Sequence, residues 1–261
     1  MTKPYVIVSP PWETTSGGVR VMYGLYGHLL AKGQVAYLNE KPATGEVIAI
    51  YPEIQQGNPV QASTVVRYIL NKPGVVPALY TDGTVKKGPT SFEPSDRLYY
   101  FSQLFSDTPV PYSRLLFLPI LDLHTFRVSK GTLRNKKCKF IGKGKDTHSA
   151  YTEGLFTIDR QFANDQKGLA DYLNTCSVMY CYDPCSAMLE IARLCGCRVV
   201  MMNNTQYTKE QFRSYEPGMN GISWGTDEEK LLDTEQFRQG YINLKRMFDY
   251  SLDVFITDTQ L

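Results

Sequence analysis

No residue type dominates this 261-residue chain, and its absences narrow the chemistry first. Charge of one sign is lacking: 28 Lys and Arg face 26 Asp and Glu, a net charge of +2, so no broad affinity for polyanions follows. The densest basic run is RNKKCKFIGKGK, at 134–145, too short for an extensive nucleic-acid surface. Its default reading is a solvated lysine cluster. No apolar stretch approaches the roughly 18 residues of a membrane span. The opening MTKPYVIVSPPW also lacks the apolar core of a secretory signal. A cytoplasmic protein with reduced thiols is therefore expected. The cysteines at 138, 176, 181, 185, 195 and 197 form no CxxC pair, and the histidines at 28, 124 and 148 are scattered. Structural zinc needs more closely spaced ligands, so no metal is expected and the thiols read as core residues. GxGxxG and the Walker lysine spacing are absent too, which leaves neither a dinucleotide fingerprint nor a P-loop.

What is present is a globular composition, 43% hydrophobic and 21% charged, in a chain long enough for two small domains. Tyr5–Ser9 reads as a buried strand, PPWETTSGG as a loop, and Val21, Met22, Leu25, Tyr26, Leu29 and Leu30 as a helix ended at Lys32-Gly33. Val35–Leu38 then completes a strand–helix–strand unit of a parallel sheet. Further strands are expected at Val47–Tyr51, Ala78–Tyr80, Leu98–Ser102 and Leu115–Leu118, with a helix over Ala62–Leu70. A second series follows residue 122. It has strands at Lys139–Ile141, Leu155–Ile158, Val178–Cys181 and Arg198–Met202, and helices at Gln166–Asn174, Ser186–Cys195 and Glu235–Tyr250. The fold class is α/β with two Rossmann-like halves. The expected domains are 1–121, 122–240 and a C-terminal segment 241–261 packing back on the first.

Such sheets bind ligands where strand carboxyl ends meet loops. Three loops qualify. Ser16-Gly17-Gly18-Val19-Arg20 places two glycines at a helix start, where backbone N–H groups face an approaching anion, although glycines there are also common in plain tight turns. Phe140-Ile141-Gly142-Lys143-Gly144-Lys145 interleaves lysines and glycines and suits either phosphate or water. In YDPCSAMLEIARLCGCRVV, residues 182–200, Pro184 sets the turn and Ser186 sits near the helix start. Glu190 follows one turn later, and Gly196 is a natural left-handed cap. Exposed and capping roles for Glu190 and Asp183 stand beside ligand roles.

Together these residues resemble the GT-B fold nucleotide-sugar glycosyltransferases of the retaining family 4 type, in a compact form. The likeness lies in Asp183–Gly196 with Arg198-Val199-Val200, in Ser16-Gly17-Gly18-Val19, in Leu118–Asp122 through Phe126, and in Phe140–Lys143. The resemblance implies two halves facing a cleft and transfer of a sugar from a nucleoside diphosphate sugar to a hydroxyl of a glycan or lipid-linked acceptor. Peripheral membrane contact is among the implied partners, and nucleic acid is not. Glu190 matches the glutamate that holds ribose hydroxyls, Ser186 and Ala187 the helix start that receives the diphosphate, and Lys143 the basic loop that neutralises it. Gly17 and Gly18 match the opposing loop, and Arg20 and Lys145 are further candidate cations. Tyr182 stands where the family has a first glutamate, with Asp183 next to it, and Arg198 replaces a proline. No DxD is present, so a metal-independent reaction without a cofactor is expected, and no residue is marked as catalytic base. Two other readings stay open: a nucleotide-sugar-binding protein without turnover, and a Rossmann enzyme using NAD or S-adenosylmethionine with Glu40 on the ribose.

Overall fold

The computed structural model describes residues 2–40, 42, 45–79, 84–144, 151–202, 206–225 and 231–261. The chain divides into two compact units. Unit 1 is Met1–Ile120 with Leu244–Leu261, and unit 2 is Leu121–Asn243.

Unit 1 begins with β1 (Tyr5–Ile7), α1 (Gly17–Ala31), β2 (Ala36–Leu38), β3 (Ile48–Pro52) and β4 (Thr64–Ile69). It continues with β5 (Pro77–Leu79), β6 (Val85–Lys87) and β7 (Arg97–Tyr100). Five strands form a parallel sheet in the order β2-β1-β3-β4-β7, and β5 and β6 pair separately as an antiparallel ribbon. Ser16 caps α1 by accepting from the Val19 amide at 3.4 Å, and the helix ends before Gly33, whose φ of 73° suits glycine. Val19, Val21, Met22, Leu25 and Leu29 form its buried side. They meet Tyr5, Ile7, Ile48, Ile50, Val66 and Tyr68 of the sheet, and Phe248, Leu252 and Phe255 near the C-terminus, in one core. Burial of each such side chain contributes about 1.5–3 kcal/mol.

Two expectations are corrected here. Within the expected helix over 62–70, Thr64–Ile69 forms strand β4 instead. Val65, Val66, Tyr68 and Ile69 fit a helical period, but β-branched and aromatic residues also suit a central strand covered on both faces, and β4 pairs with both β3 and β7. Leu115–Leu118 is not a strand. It makes one bridge, Leu115 to Tyr100, before Pro119, which has no N–H to extend a ladder.

Unit 2 contains β8 (Lys136–Phe140), β9 (Phe156–Ile158), α2 (Arg160–Asn164), α3 (Gln166–Thr175) and β10 (Cys176–Cys181). Next come α4 (Met188–Leu194), β11 (Arg198–Met201), β12 (Ile222–Trp224) and the start of α5 (Thr234–Gln260), whose later turns belong to unit 1. Its sheet, in the order β9-β8-β10-β11-β12, is parallel throughout. Numbered within each sheet, both units follow the order 2-1-3-4-5, which is Rossmann-like. In this order the chain changes direction across the sheet between the first and third strands, and the loops leaving those strands diverge to open a crevice. In unit 2 that point lies between β8 and β10. None of the helices in the described residues is long and apolar enough to cross a membrane.

Candidate functional site

At the carboxyl ends of β8 and β10 the loops of unit 2 are tied together by Asp183. Its side chain is only 2% exposed. Oδ2 accepts from the Lys143 amide at 2.9 Å and Oδ1 from the Cys185 amide at 3.0 Å. The Lys143 ammonium lies 3.4 Å from Oδ2 and donates to the Cys185 carbonyl at 3.2 Å. Glycines permit this approach. Gly142 has φ 56°, and a Cβ on it would sit within 3.0 Å of the Asp183 carboxylate; one on Gly144 would meet the Tyr182 carbonyl equally closely. The interleaved glycines of the 140–145 run therefore serve loop-to-loop packing. Gly144→Ala is expected to cost about 1–3 kcal/mol by overpacking, read as a lowered urea midpoint in tryptophan fluorescence. An unchanged midpoint would sink this account of the loop contact.

Tyr182 is fully buried, and its hydroxyl shares a 2.8 Å hydrogen bond with Thr152. The phenol is thus part of the core, and no carboxylate occupies its place. Beyond it the chain turns outward. Cys185, Ser186 and Ala187 are partly exposed, and the Ser186 hydroxyl accepts from the Met188 amide at 3.2 Å. The Ser186 and Ala187 amides donate to nothing among the described residues. Both residues are partly exposed at the entry to α4.

One turn on, Glu190 is 7% exposed. The Tyr215 hydroxyl donates to its Oε1, whereas Oε2 has no hydrogen-bond partner among the described residues. Arg193, on the same helix, is completely buried. It donates to the carbonyls of Leu189, Gly218 and Asn220 and lies over the Phe237 ring at 4.0 Å, and its Nη2 has no partner among the described residues. Burial pushes the Glu190 carboxyl above the usual carboxylate range, against the opposing pull of Tyr215 and Arg193. The same burial lowers Arg193. Both directions say that the two charges lose more from desolvation than they recover from each other. Burial pushes the Cys185 thiol up to about 12, with smaller, mutually opposing effects from a Tyr207 hydrogen bond and from the charges of Asp183, Lys143 and Glu190.

The other expected residues fall in unit 1 or outside this cluster. Gly17 and Gly18 open α1 without positive φ, and a Cβ at Gly17 would meet nothing within 4 Å, so helix geometry does not demand glycine there. Arg20 donates to the Ile120 carbonyl at 3.0 Å. Glu40 is exposed after β2. His28 packs edge-on against Phe248 and is lowered by burial, while His124 is exposed. Lys145 and His148 lie outside the described residues. Sequence reasoning missed Arg193 and Tyr215. Arg193 stands three positions after Glu190, a spacing that puts both on one helix side; Tyr215 is brought in only by tertiary contact.

Unit 1 also carries a cleft of about 330 Å³ at the amino ends of β4 and β7, lined by Asn58, Ser63, Thr64, Arg67, Asp96 and Arg97 among others. It lies at the edge opposite the strand carboxyl ends. Most of its polar groups are already paired: Arg67 bonds Asp96 at 2.7 Å and the Gln55 and Gly57 carbonyls at 2.8 and 2.6 Å, and Asn58 accepts from Tyr51. This is a loop staple.

No protein-family model matches the chain, and no curated protein is similar to it. Among solved structures, one titled as a functional uncharacterized protein from Klebsiella pneumoniae subsp. pneumoniae is similar at 14% identity and a TM-score of 0.46, covering 87% of this chain and 94% of that one. A likeness that distant carries no statement about activity.

Proposed function

We propose that the protein transfers a sugar from a nucleoside diphosphate sugar to a hydroxyl acceptor, with the donor held at the β8–β10 crevice of unit 2. The observation that carries this reading is the buried Glu190 carboxylate, one oxygen of which has no partner among the described residues, one turn beyond the Ser186 and Ala187 amides, which likewise have none there. Desolvating a carboxylate and leaving half of it unpaired is costly, and a vicinal diol supplies the missing donors. In this reading Glu190 accepts from the ribose hydroxyls. The two amides donate to the diphosphate, and the Lys143 ammonium, 40% exposed, offsets its charge. The leaving diphosphate gains negative charge as the glycosidic bond breaks, and fixed donors at that position lower the barrier without moving. Acceptor, sugar and catalytic base are left unassigned.

A second reading, a nucleotide-sugar-binding protein without turnover, is favoured by one feature: Tyr182 is sealed in the core where the resemblance calls for a carboxylate on the donor sugar. Both readings expect UDP or GDP to raise the melting temperature, with NAD and S-adenosylmethionine inert. Transfer or slow hydrolysis with a panel of sugar nucleotides then separates them. Stabilisation by NAD or S-adenosylmethionine alone would remove both.

A further inference from the structure

We propose that the loop between residues 127 and 137 of unit 2 docks on an anionic lipid bilayer. This surface is independent of the nucleotide reading. It lies before and at the amino end of β8, whereas the crevice opens at the carboxyl ends of β8 and β10.

The segment RVSKGTLRNKK carries five cations, Arg127, Lys130, Arg134, Lys136 and Lys137, and no acidic residue. Only one is consumed internally. Arg134 donates to the Leu173 and Cys176 carbonyls and to Asn174, and so closes the end of α3. The side chains of Arg127, Lys130 and Lys137 make no ion pair or hydrogen bond among the described residues, and Lys136 lies over the Tyr172 ring at 5.4 Å. The acidic neighbour on α3, Asp171, is taken by Lys167 at 2.6 Å. Four exposed cations thus share one stretch of chain with no ion-pair partner among the described residues.

Two apolar side chains stand between them in the open: Leu133 is 74% exposed and Val128 40%. The loop is held in shape. Buried Asn174 accepts from the Ser129 amide at 2.7 Å and donates to the Arg127 carbonyl at 3.0 Å, and Gly131 supplies the turn with φ 78°. A fixed loop that offers cations and a bare leucine together matches an interface of anionic headgroups over acyl chains, where charge attracts and an apolar side chain inserts. A nucleic acid would use the cations but leaves Leu133 without a role, and no aromatic residue lies in the loop to stack on bases.

The test is flotation of the full chain with vesicles of phosphatidylcholine alone and of phosphatidylcholine mixed with phosphatidylglycerol. Binding is expected only to the mixed vesicles, weakening with salt. Each cation near such a surface contributes about a fivefold change in partition. Lys130→Gln, Lys136→Gln and Lys137→Gln combined should therefore lower binding by about a hundredfold. Leu133→Ser should weaken vesicle binding while leaving retention on heparin unchanged. All four positions are exposed, and an unchanged melting curve with and without UDP confirms that fold and nucleotide site are intact. Equal binding to neutral vesicles, no binding to either, or heparin retention with Leu133→Ser neutral on vesicles would each overturn the proposal; the last identifies a polyanion surface instead.

Discussion

A chain carrying Arg67→Met is expected to be about 3–5 kcal/mol less stable, because one partner of a buried ion pair is removed and the other stays behind. The Arg67 side chain is 2% exposed and that of Asp96 4%. The guanidinium joins Asp96 to the carbonyls of Gln55 and Gly57 and is stacked 4.9 Å from the Tyr51 ring centroid and 5.6 Å from that of Phe92. Methionine keeps much of the stem volume but leaves a largely buried carboxylate and two carbonyls without this donor at the wall of the cleft. Chemical denaturation monitored by circular dichroism measures the loss. Adding Asp96→Asn should restore part of it, since the stranded charge is then gone and the two effects are coupled. If Arg67→Met and wild type share a denaturation midpoint, the staple is not what holds the loops at the amino ends of β4 and β7.

The second large effect is expected at Glu190, and it has opposite signs for stability and for binding. The folded-state carboxyl is held above its ordinary value of about 4.3 by burial. As pH rises from that ordinary value through the folded one, the unfolded chain gives up its proton while the native chain keeps it, so native stability falls across this window and then levels off. Glu190→Gln abolishes the titration. It also keeps an amide oxygen to accept from Tyr215. The variant should therefore gain stability over wild type at neutral pH, and the gain should vanish near pH ~4. Nucleoside diphosphate binding should fall about ten- to hundredfold, the loss of about 1.5–3 kcal/mol carried by a hydrogen bond to a charged acceptor. Melting curves across pH and calorimetric titration with UDP and GDP read the two effects separately. A destabilised variant at neutral pH would show that the carboxylate is a net structural asset. Unchanged nucleotide affinity would remove Glu190 from the binding site.

How much of this was legible in the letters differs by element. β1, β3, β10 and β11 are short apolar runs between turn residues, and the helices over Gly17–Ala31 and Gln166–Thr175 have caps and a buried side. Local rules suffice for these. Residues 64–69 defeat them, because VVRYI fits a helical period yet has the β-branched and aromatic content of a strand covered on both faces, and only its neighbours β3 and β7 decide between the two. Arg67 adds to the ambiguity: a charge inside an apolar run reads as an exposed position until Asp96, 29 residues away, is seen to meet it.

The sequence by itself determined an α/β chain with strand-to-loop junctions after Ile141 and after Tyr182, each one residue beyond the strand end in the structure, since apolar runs ending in glycine, proline and polar residues are local facts. It also supplied the letters of the crevice: Lys143, Asp183, Ser186 and Glu190. Tertiary structure alone decided what those letters do. Placing β8 beside β10 turned Lys143 and Asp183 into a clasp. Tyr182 folds inward onto Thr152, and Tyr215 reaches Glu190 from 25 residues away, while the other Glu190 oxygen has no partner among the described residues. The burial of these groups, and the meeting of Asp183 with Lys143 and of Glu190 with Tyr215, join residues far apart in sequence, so no local pattern in the chain could have assigned them.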